Sequence, residues 1–172
     1  ESKLFHSYDI IGQSQSIEKI KNLISKLANT ESRVFISGPA GSGKELVARQ
    51  IHKNSPRASK PFLVVNGALL DPEKYENELF GCDNLNGTVN YGFFEKAKDG
   101  TLLIDEISEI PLETQAKILR VLIEQKFRRV NGSKEVNVNV RIISTSSKNI
   151  REEVDKGNFR EDLYHRLNVV PI

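Results

Sequence analysis

Residues 34–49 read VFISGPAGSGKELVAR, and no other stretch restricts the fold of this chain so tightly. Val34, Phe35 and Ile36 form a β-branched and aromatic run suited to a buried strand. Ser37-Gly38 ends that run, and helical spacing begins at Lys44. Between strand and helix, Gly38, Pro39, Ala40, Gly41, Ser42, Gly43 and Lys44 fit the G-x-x-x-x-G-K spacing of a phosphate-binding loop. The glycines let the backbone curl with its N–H groups inward. The helix N-terminus adds partial positive charge, and Lys44 can reach terminal phosphates. A nucleoside triphosphate is the expected ligand. After the lysine most such loops carry Ser or Thr, whose hydroxyl ligates magnesium; here the residue is Glu45.

The rest of the chain supplies strands and helices in alternation. Ile17, Ile20, Leu23, Ile24 and Leu27 recur at helical spacing before the loop, and Leu46, Val47 and Ile51 continue the helix after it. Phe62 to Asn66 reads as a second buried strand. Asp71-Pro72-Glu73 has the cap, proline and early acid of a helix start, with Tyr75, Leu79 and Phe80 on the apolar side. Gly81 to Gly92 is polar and turn-forming, a loop or a short hairpin, and Phe93 to Lys98 reads as a helical turn. Thr101 to Asp105 is a third strand. Pro111 opens a helix to about Gln125 whose apolar side is read as Leu112, Ala116, Leu119, Leu122 and Ile123. Phe127 to Val138 centres on Asn131-Gly132, a favoured type I′ pair, and predicts a hairpin. Val140 to Thr145 is the fourth main strand and Val169 to Ile172 the fifth. This order predicts an α/β fold with a five-stranded parallel sheet between helices and a small hairpin insertion.

Thr101 to Glu106 ends an apolar strand in two adjacent acids. In isolation that pattern fits a helix cap and a solvated side chain; beside a phosphate loop it fits the second half of an ATPase site. Asp105 then holds Mg2+ directly or through water, and Glu106 polarises the attacking water. The 172 residues suit one domain, and 38% hydrophobic with 28% charged residues is ordinary for a globular chain. A net charge of +2 argues for neither nucleic acid nor a membrane surface. No apolar run approaches the roughly 20 residues that span a bilayer, and the N-terminus lacks signal-peptide regions. A single cysteine, Cys82, rules out an internal disulfide framework, and the expected compartment is the cytoplasm. His6, His52 and His165 have no metal-ligand spacing. Lys126, Arg128 and Arg129 read first as a solvated strand surface, and second as a face for nucleic acid or a partner. With no methionine, and an end that looks like a strand without its sequel, the sequence reads as a piece of a longer protein.

Taken together, GPAGSGKE, LLIDEI, KILRVL with FRRVNG after it, and FREDLYHRLNVVPI resemble the AAA+ ATPase domain of the bacterial sigma-54 activators, the NtrC group. The resemblance runs from about Ile11 to Ile172, and Glu45 after the loop lysine is normal in that family. It implies that Gly38 to Glu45 are Walker A, with Leu46 following, and that Asp105 and Glu106 are Walker B. Asn66 becomes the switch residue that holds the catalytic glutamate; read alone it is a strand-end polar cap. Ser146 or Ser147 fills sensor I, where the family commonly has Thr or Asn. Arg160 and Arg166 become arginine fingers offered to ATP on a neighbouring subunit of a ring, and read alone they are a solvated helix face. Ile11 and Gly12 lie near the adenine. ATP and Mg2+ are the implied cofactors. A helical lid, a receiver domain addressed by a sensor kinase, and a DNA-binding domain belong to the longer protein and are absent from this sequence.

One departure falls where the family meets its partner. Sigma-54 activators carry a GAFTGA loop after the FG of ELFG. Here Glu78, Leu79, Phe80 and Gly81 match, but Cys82 to Tyr91 is shorter and lacks that motif. A shortened loop of this kind looks like the NtrX-like branch of response regulators. Two functions are therefore carried forward. The first is the ATP-hydrolysing central domain of a two-component regulator of sigma-54 interaction type, acting on sigma-54 RNA polymerase. The alternative is a nucleotide-gated oligomerisation module of a DNA-binding regulator that does not remodel sigma-54. A different AAA+ machine, such as a helicase loader, leaves the FREDLYHRLN match unexplained.

Overall fold

The Ser14 side chain accepts the Ile17 amide and caps helix α1 (Gln15–Ala28), which buries Ile24, Leu27 and Ala28. This opens a computed structural model that describes residues 14–167. Strand β1 (Val34–Ser37) leads through the glycine loop into α2 (Lys44–Lys53), and β2 (Phe62–Asn66) follows. The next helix, α3 (Tyr75–Phe80), starts later than Asp71-Pro72-Glu73 suggests. The Lys74 amide donates to the Asp71 carbonyl at 2.9 Å, closing a turn, and the Asp71 carboxylate pairs with the Lys74 ammonium at 3.5 Å instead of capping a helix. A short hairpin, β3 (Cys82–Asp83) with β4 (Val89–Asn90), occupies the polar segment. Then come α4 (Phe93–Lys96), β5 (Thr101–Asp105), a 3-10 turn over Ile107–Glu109, and α5 (Leu112–Glu124). A second hairpin, β6 (Lys126–Arg128) with β7 (Glu135–Asn137), precedes β8 (Arg141–Ser146), α6 (Ile150–Asp155) and α7 (Glu161–Leu167).

The main sheet has the order β1-β8-β5-β2 and every neighbouring pair is parallel. Side chains alternate between its faces. Val34, Ile36, Leu103 and Ile143 meet α1 and α2 through Ile24, Leu27, Ala48 and Ile51. Phe35, Leu102, Ile104 and Ile142 face the opposite layer, where Ile118, Val121, Leu163 and Leu167 complete the larger core. Both faces are thus covered, as an all-parallel sheet requires. Four strands fall among the described residues; the expected fifth, Val169 to Ile172, lies outside them.

Two local expectations are corrected. Helix α5 buries Thr114, Gln115, Ile118, Val121 and Leu122, while Leu112 is 43% and Ile123 50% exposed. The cause is Gln115, whose amide donates to the carbonyls of Ile110 and Asn158 and accepts the Arg160 amide, so a polar residue turns the helix toward the core. The second hairpin does not close on a two-residue Asn131-Gly132 turn. Its strands stop at the Arg128↔Glu135 pair, and Val130 is drawn to the first hairpin, exchanging backbone bonds of 2.9 and 3.0 Å with Gly81 and Asp83. Arg129 follows inward. Its guanidinium forks onto Glu95 at 2.8 and 2.9 Å, reaches Asp83 at 3.3 Å and lies over the Tyr91 ring, so the Glu95 bonds above all push its pKa up. Lys126 and Arg128 stay on the exposed strand surface. Phe80, Phe94 and Phe127 join the two hairpins to the core, with ring centroids 5.3 to 6.0 Å apart.

His52 is buried with both ring nitrogens engaged, Nδ1 at 2.7 Å from the Thr101 hydroxyl and Nε2 at 3.0 Å from the Lys60 carbonyl. Burial lowers its pKa from the ordinary 6.5, and the charges of Arg141 and Arg57 lower it further. The unfolded chain therefore binds the proton more readily than the folded one. The stability held by neutral His52 is complete above pH 6.5 and is lost as pH falls from there through the lower folded value. Thermal midpoints measured from pH 8 to pH 5 should fall on the acid side, and His52→Gln should flatten that limb. An unchanged slope in the variant would assign the acid sensitivity elsewhere. Among the described residues no helix is long and apolar enough to cross a membrane.

Candidate nucleotide site

The glycine loop takes its shape from two left-handed residues, Gly41 at φ 79° and Gly43 at φ 90°, a region that side-chain-bearing residues rarely adopt. Gly43 is the N-cap of α2, so the first amides of a ten-residue helix open toward the loop. Gly38 is tied to the sheet through its amide and the Ser146 carbonyl at 3.3 Å, and Ser42 closes a turn onto the Pro39 carbonyl. Lys44 is buried beneath the loop, and its ammonium donates to the Gly38 and Pro39 carbonyls at 2.7 and 2.8 Å. A cleft of about 500 Å³ opens above, lined by Ala40, Gly41, Gly43, Lys44, Glu45, Leu46, Arg49, Asn66, Asp105 and Glu106. Glu45 pairs with Arg49 at 3.6 Å, and the Arg49 guanidinium rests 4.9 Å from the Phe62 ring centroid.

Sheet register supplies the opposite wall. Asn66 is paired with Asp105 across β2 and β5, and Ile104 with Ser144 across β5 and β8, so Thr145 follows beside Asp105. The carboxylate of Asp105 is gripped on both oxygens: Asn66 Nδ2 donates to one at 3.3 Å and the Thr145 hydroxyl donates to the other. Thr145 Oγ1 also accepts the Glu106 amide at 3.1 Å. Glu106 itself stands in the left-handed region at φ 54°, uncommon for a residue with a side chain and a mark of functional sites. Its carboxylate accepts the Ser147 amide at 3.1 Å and the Ser147 hydroxyl at 2.9 Å. Gly67 is required beside this turn, because a Cβ there would lie 2.5 Å from the Glu106 carbonyl oxygen.

Loop and acid pair converge on one cleft. Asn66 contacts Asp105, while Glu106 is held by Ser147. Ser146 turns away, its buried hydroxyl bonded to Ser108 at 3.3 Å and the Lys148 carbonyl at 2.8 Å, so of the two serines only Ser147 reaches the acids. Thr145, unnoticed in the sequence, is the hydroxyl that grips Asp105. Arg160 and Arg166 are not among the residues lining the cleft. The guanidinium of Arg160 forks onto Asp162 at 2.9 and 3.0 Å, which holds the Asp162 carboxyl below its ordinary range, and Arg166 is exposed. Ile11 and Gly12 lie outside the described residues.

Among the described residues no three carboxylate, imidazole or thiol groups form a metal cage. One or two carboxylates beside a phosphate loop nevertheless suit Mg2+, which keeps several waters and takes its other oxygens from phosphates. The donor set of Asp105 and Glu106 therefore fits.

The family model for the sigma-54 interaction domain matches residues 10–172. The nitrogen assimilation regulatory protein NtrX of Azorhizobium caulinodans is 47% identical over 171 residues, which is 99% of this chain and 38% of that protein. The DNA-binding transcriptional regulator NtrC of Escherichia coli K12 is 43% identical over 168 residues, 95% of this chain and 36% of that one. The crystal structure of Brucella abortus NtrX in complex with ATP superposes with a TM-score of 0.89 at 48% identity, covering 95% of this chain and 38% of the other. The chain thus spans little more than a third of the length of these relatives.

Proposed function

Because this chain belongs to the sigma-54 interaction domain family, we propose that it is the ATP-binding and ATP-hydrolysing central domain of a bacterial two-component transcriptional response regulator of the NtrX-like branch. One observation carries the reading: the glycine loop with Lys44, and the strand ends with Asn66, Asp105 and Glu106, meet in a single cleft, with the buried Thr145 hydroxyl fixing Asp105 from the third strand. Ligands bind in just this place in open parallel sheets, beyond the carboxyl ends of the strands.

The loop amides and Lys44 hold the phosphates. Asp105, fixed by Asn66 and Thr145, would hold Mg2+ directly or through water, and the ion would supply positive charge to the phosphates. Glu106 orients the attacking water and accepts its proton, with Ser147 fixing the carboxylate until substrate arrives. Asn66, which bonds Asp105 here, is the switch residue expected to hold Glu106 until a partner is engaged. Arg160 and Arg166 serve a neighbouring copy, so hydrolysis needs a ring. The longer protein is cytoplasmic, with a receiver domain before this one and a lid and DNA-binding domain after it.

The alternative, a nucleotide-gated oligomerisation module that does not remodel sigma-54, is favoured by one observation. The segment from Cys82 to Tyr91 forms a short hairpin tied to its neighbour by Arg129 and Val130. Size-exclusion chromatography of the full-length protein with ADP and aluminium fluoride tests both. A ring is expected in that state, and a protein that binds ATP yet stays monomeric overturns the ring reading. Co-elution of added sigma-54 with the ring supports the remodeller; a bare ring, with an NtrC-type activator capturing sigma-54 in parallel, supports the alternative.

A further inference from the structure

The amino ends of the same strands frame a second cavity, of about 560 Å³, remote from the glycine loop. Arg33, Arg57 and Arg141 line it, with Glu31 as the one carboxylate among the lining residues. Arg33 precedes β1 and Arg141 opens β8, whereas the nucleotide cleft lies at the far ends of both strands.

The three guanidiniums differ in what answers their charge. All the donors of Arg57 are engaged: it pairs with Glu31 at 2.8 Å and donates to the Gly100 and Asn139 carbonyls at 3.1 and 3.2 Å and to the Asn139 side chain. Arg141, 3% exposed, donates to the Leu27, Ala28 and Ser32 carbonyls and so meets the negative end of α1. Two of its five N–H groups remain, and no carboxylate touches it among the described residues. Among the described residues Arg33 makes one long bond, 3.4 Å to the Leu122 carbonyl, leaving four donors. Glu31, its side chain 58% exposed, bonds to Arg57 among the described residues, and its charge also acts on Arg141 from a distance. A positive field therefore persists in the cavity; Arg141 and Arg57 disfavour the charged form of His52 nearby, after burial itself.

We propose that this cavity is a second anion site, which takes a small oxyanion of the phosphate or pyrophosphate class on the unused N–H groups of Arg33 and Arg141. Guanidinium forks match the geometry of such oxyanions, and the burial of Arg141 strengthens any bond that reaches it from the cavity. Glu31 and Arg57 form the fixed wall, so occupancy by an anion requires no rearrangement of the ion pair already present.

Calorimetric titration of the Lys44→Ala chain with pyrophosphate, against chloride at matched ionic strength, isolates this cavity from the glycine loop. One equivalent is expected to bind. Adding Arg33→Gln should weaken that binding about tenfold or more, the loss typical of a charge-assisted hydrogen bond. Arg33→Lys, which keeps the charge and loses the fork, should fall between. Absence of pyrophosphate binding in Lys44→Ala, or binding indifferent to Arg33→Gln, overturns the proposal. Backbone amide shifts in the unsubstituted chain give a check independent of variant folding: pyrophosphate should move Asn139 to Ile142 as well as the glycine loop. Shifts confined to residues 38–45 also overturn it.

Discussion

Glu106→Gln is expected to leave ATP affinity within about twofold of the parent while lowering turnover in the full-length ring by a factor of about 100 or more, the scale of a lost general base. The substitution is close to isosteric. The glutamine carbonyl can still accept from the Ser147 amide and hydroxyl, and the backbone amide can still reach Thr145, so the left-handed turn at φ 54° keeps its supports. What disappears is a carboxylate able to take a proton from water. Binding of a fluorescent ATP analogue and single-turnover hydrolysis on the same preparation separate the two effects. Undiminished turnover would remove Glu106 from the reaction.

The second large effect lies in binding. Lys44→Ala should weaken ATP by on the order of 100-fold, since truncating one member of a buried charge pair costs several kcal/mol. The lysine already sits beneath the loop, with its ammonium on two loop carbonyls, so little reorganisation separates its present position from the phosphates. Two carbonyls lose a donor in the variant, and far-UV circular dichroism should confirm that α2 persists. A calorimetric ATP affinity close to the parent would mean that the loop amides alone hold the nucleotide.

The features legible in the sequence are those in which chemistry and spacing are local. GPAGSGK fixes its own backbone through glycine and its own charge through lysine, and TLLIDE announces a buried strand and its acids within six residues. Asn66 gains a role only through the family resemblance, because by itself it reads as the polar end of a strand. Thr145 was not legible, because its role depends on the register that sets β8 beside β5, and a threonine closing a β-branched run looks like any other strand residue. Gln115 was missed for a related reason. Hydropathy places a glutamine outside, yet three backbone partners from Ile110, Asn158 and Arg160 satisfy it inside and rotate the face of α5. Arg129 looked like one cation in a basic cluster until Glu95 and Asp83, 34 and 46 residues away, came to meet it.

That arginine also determines where the chain can tolerate change of length. The base of the first hairpin is anchored through Asp83, Gly81 and Val130, and Gly81 and Gly92 pack backbone to backbone, leaving no room for a Cβ at either. Its tip is another matter. Leu85 is fully exposed, and among the described residues Asn84 to Thr88 bond with one another. For anyone wishing to graft a longer contact arm onto this scaffold, the suture belongs between Asn86 and Gly87, where added residues meet solvent and the anchored base serves as a ready-made socket.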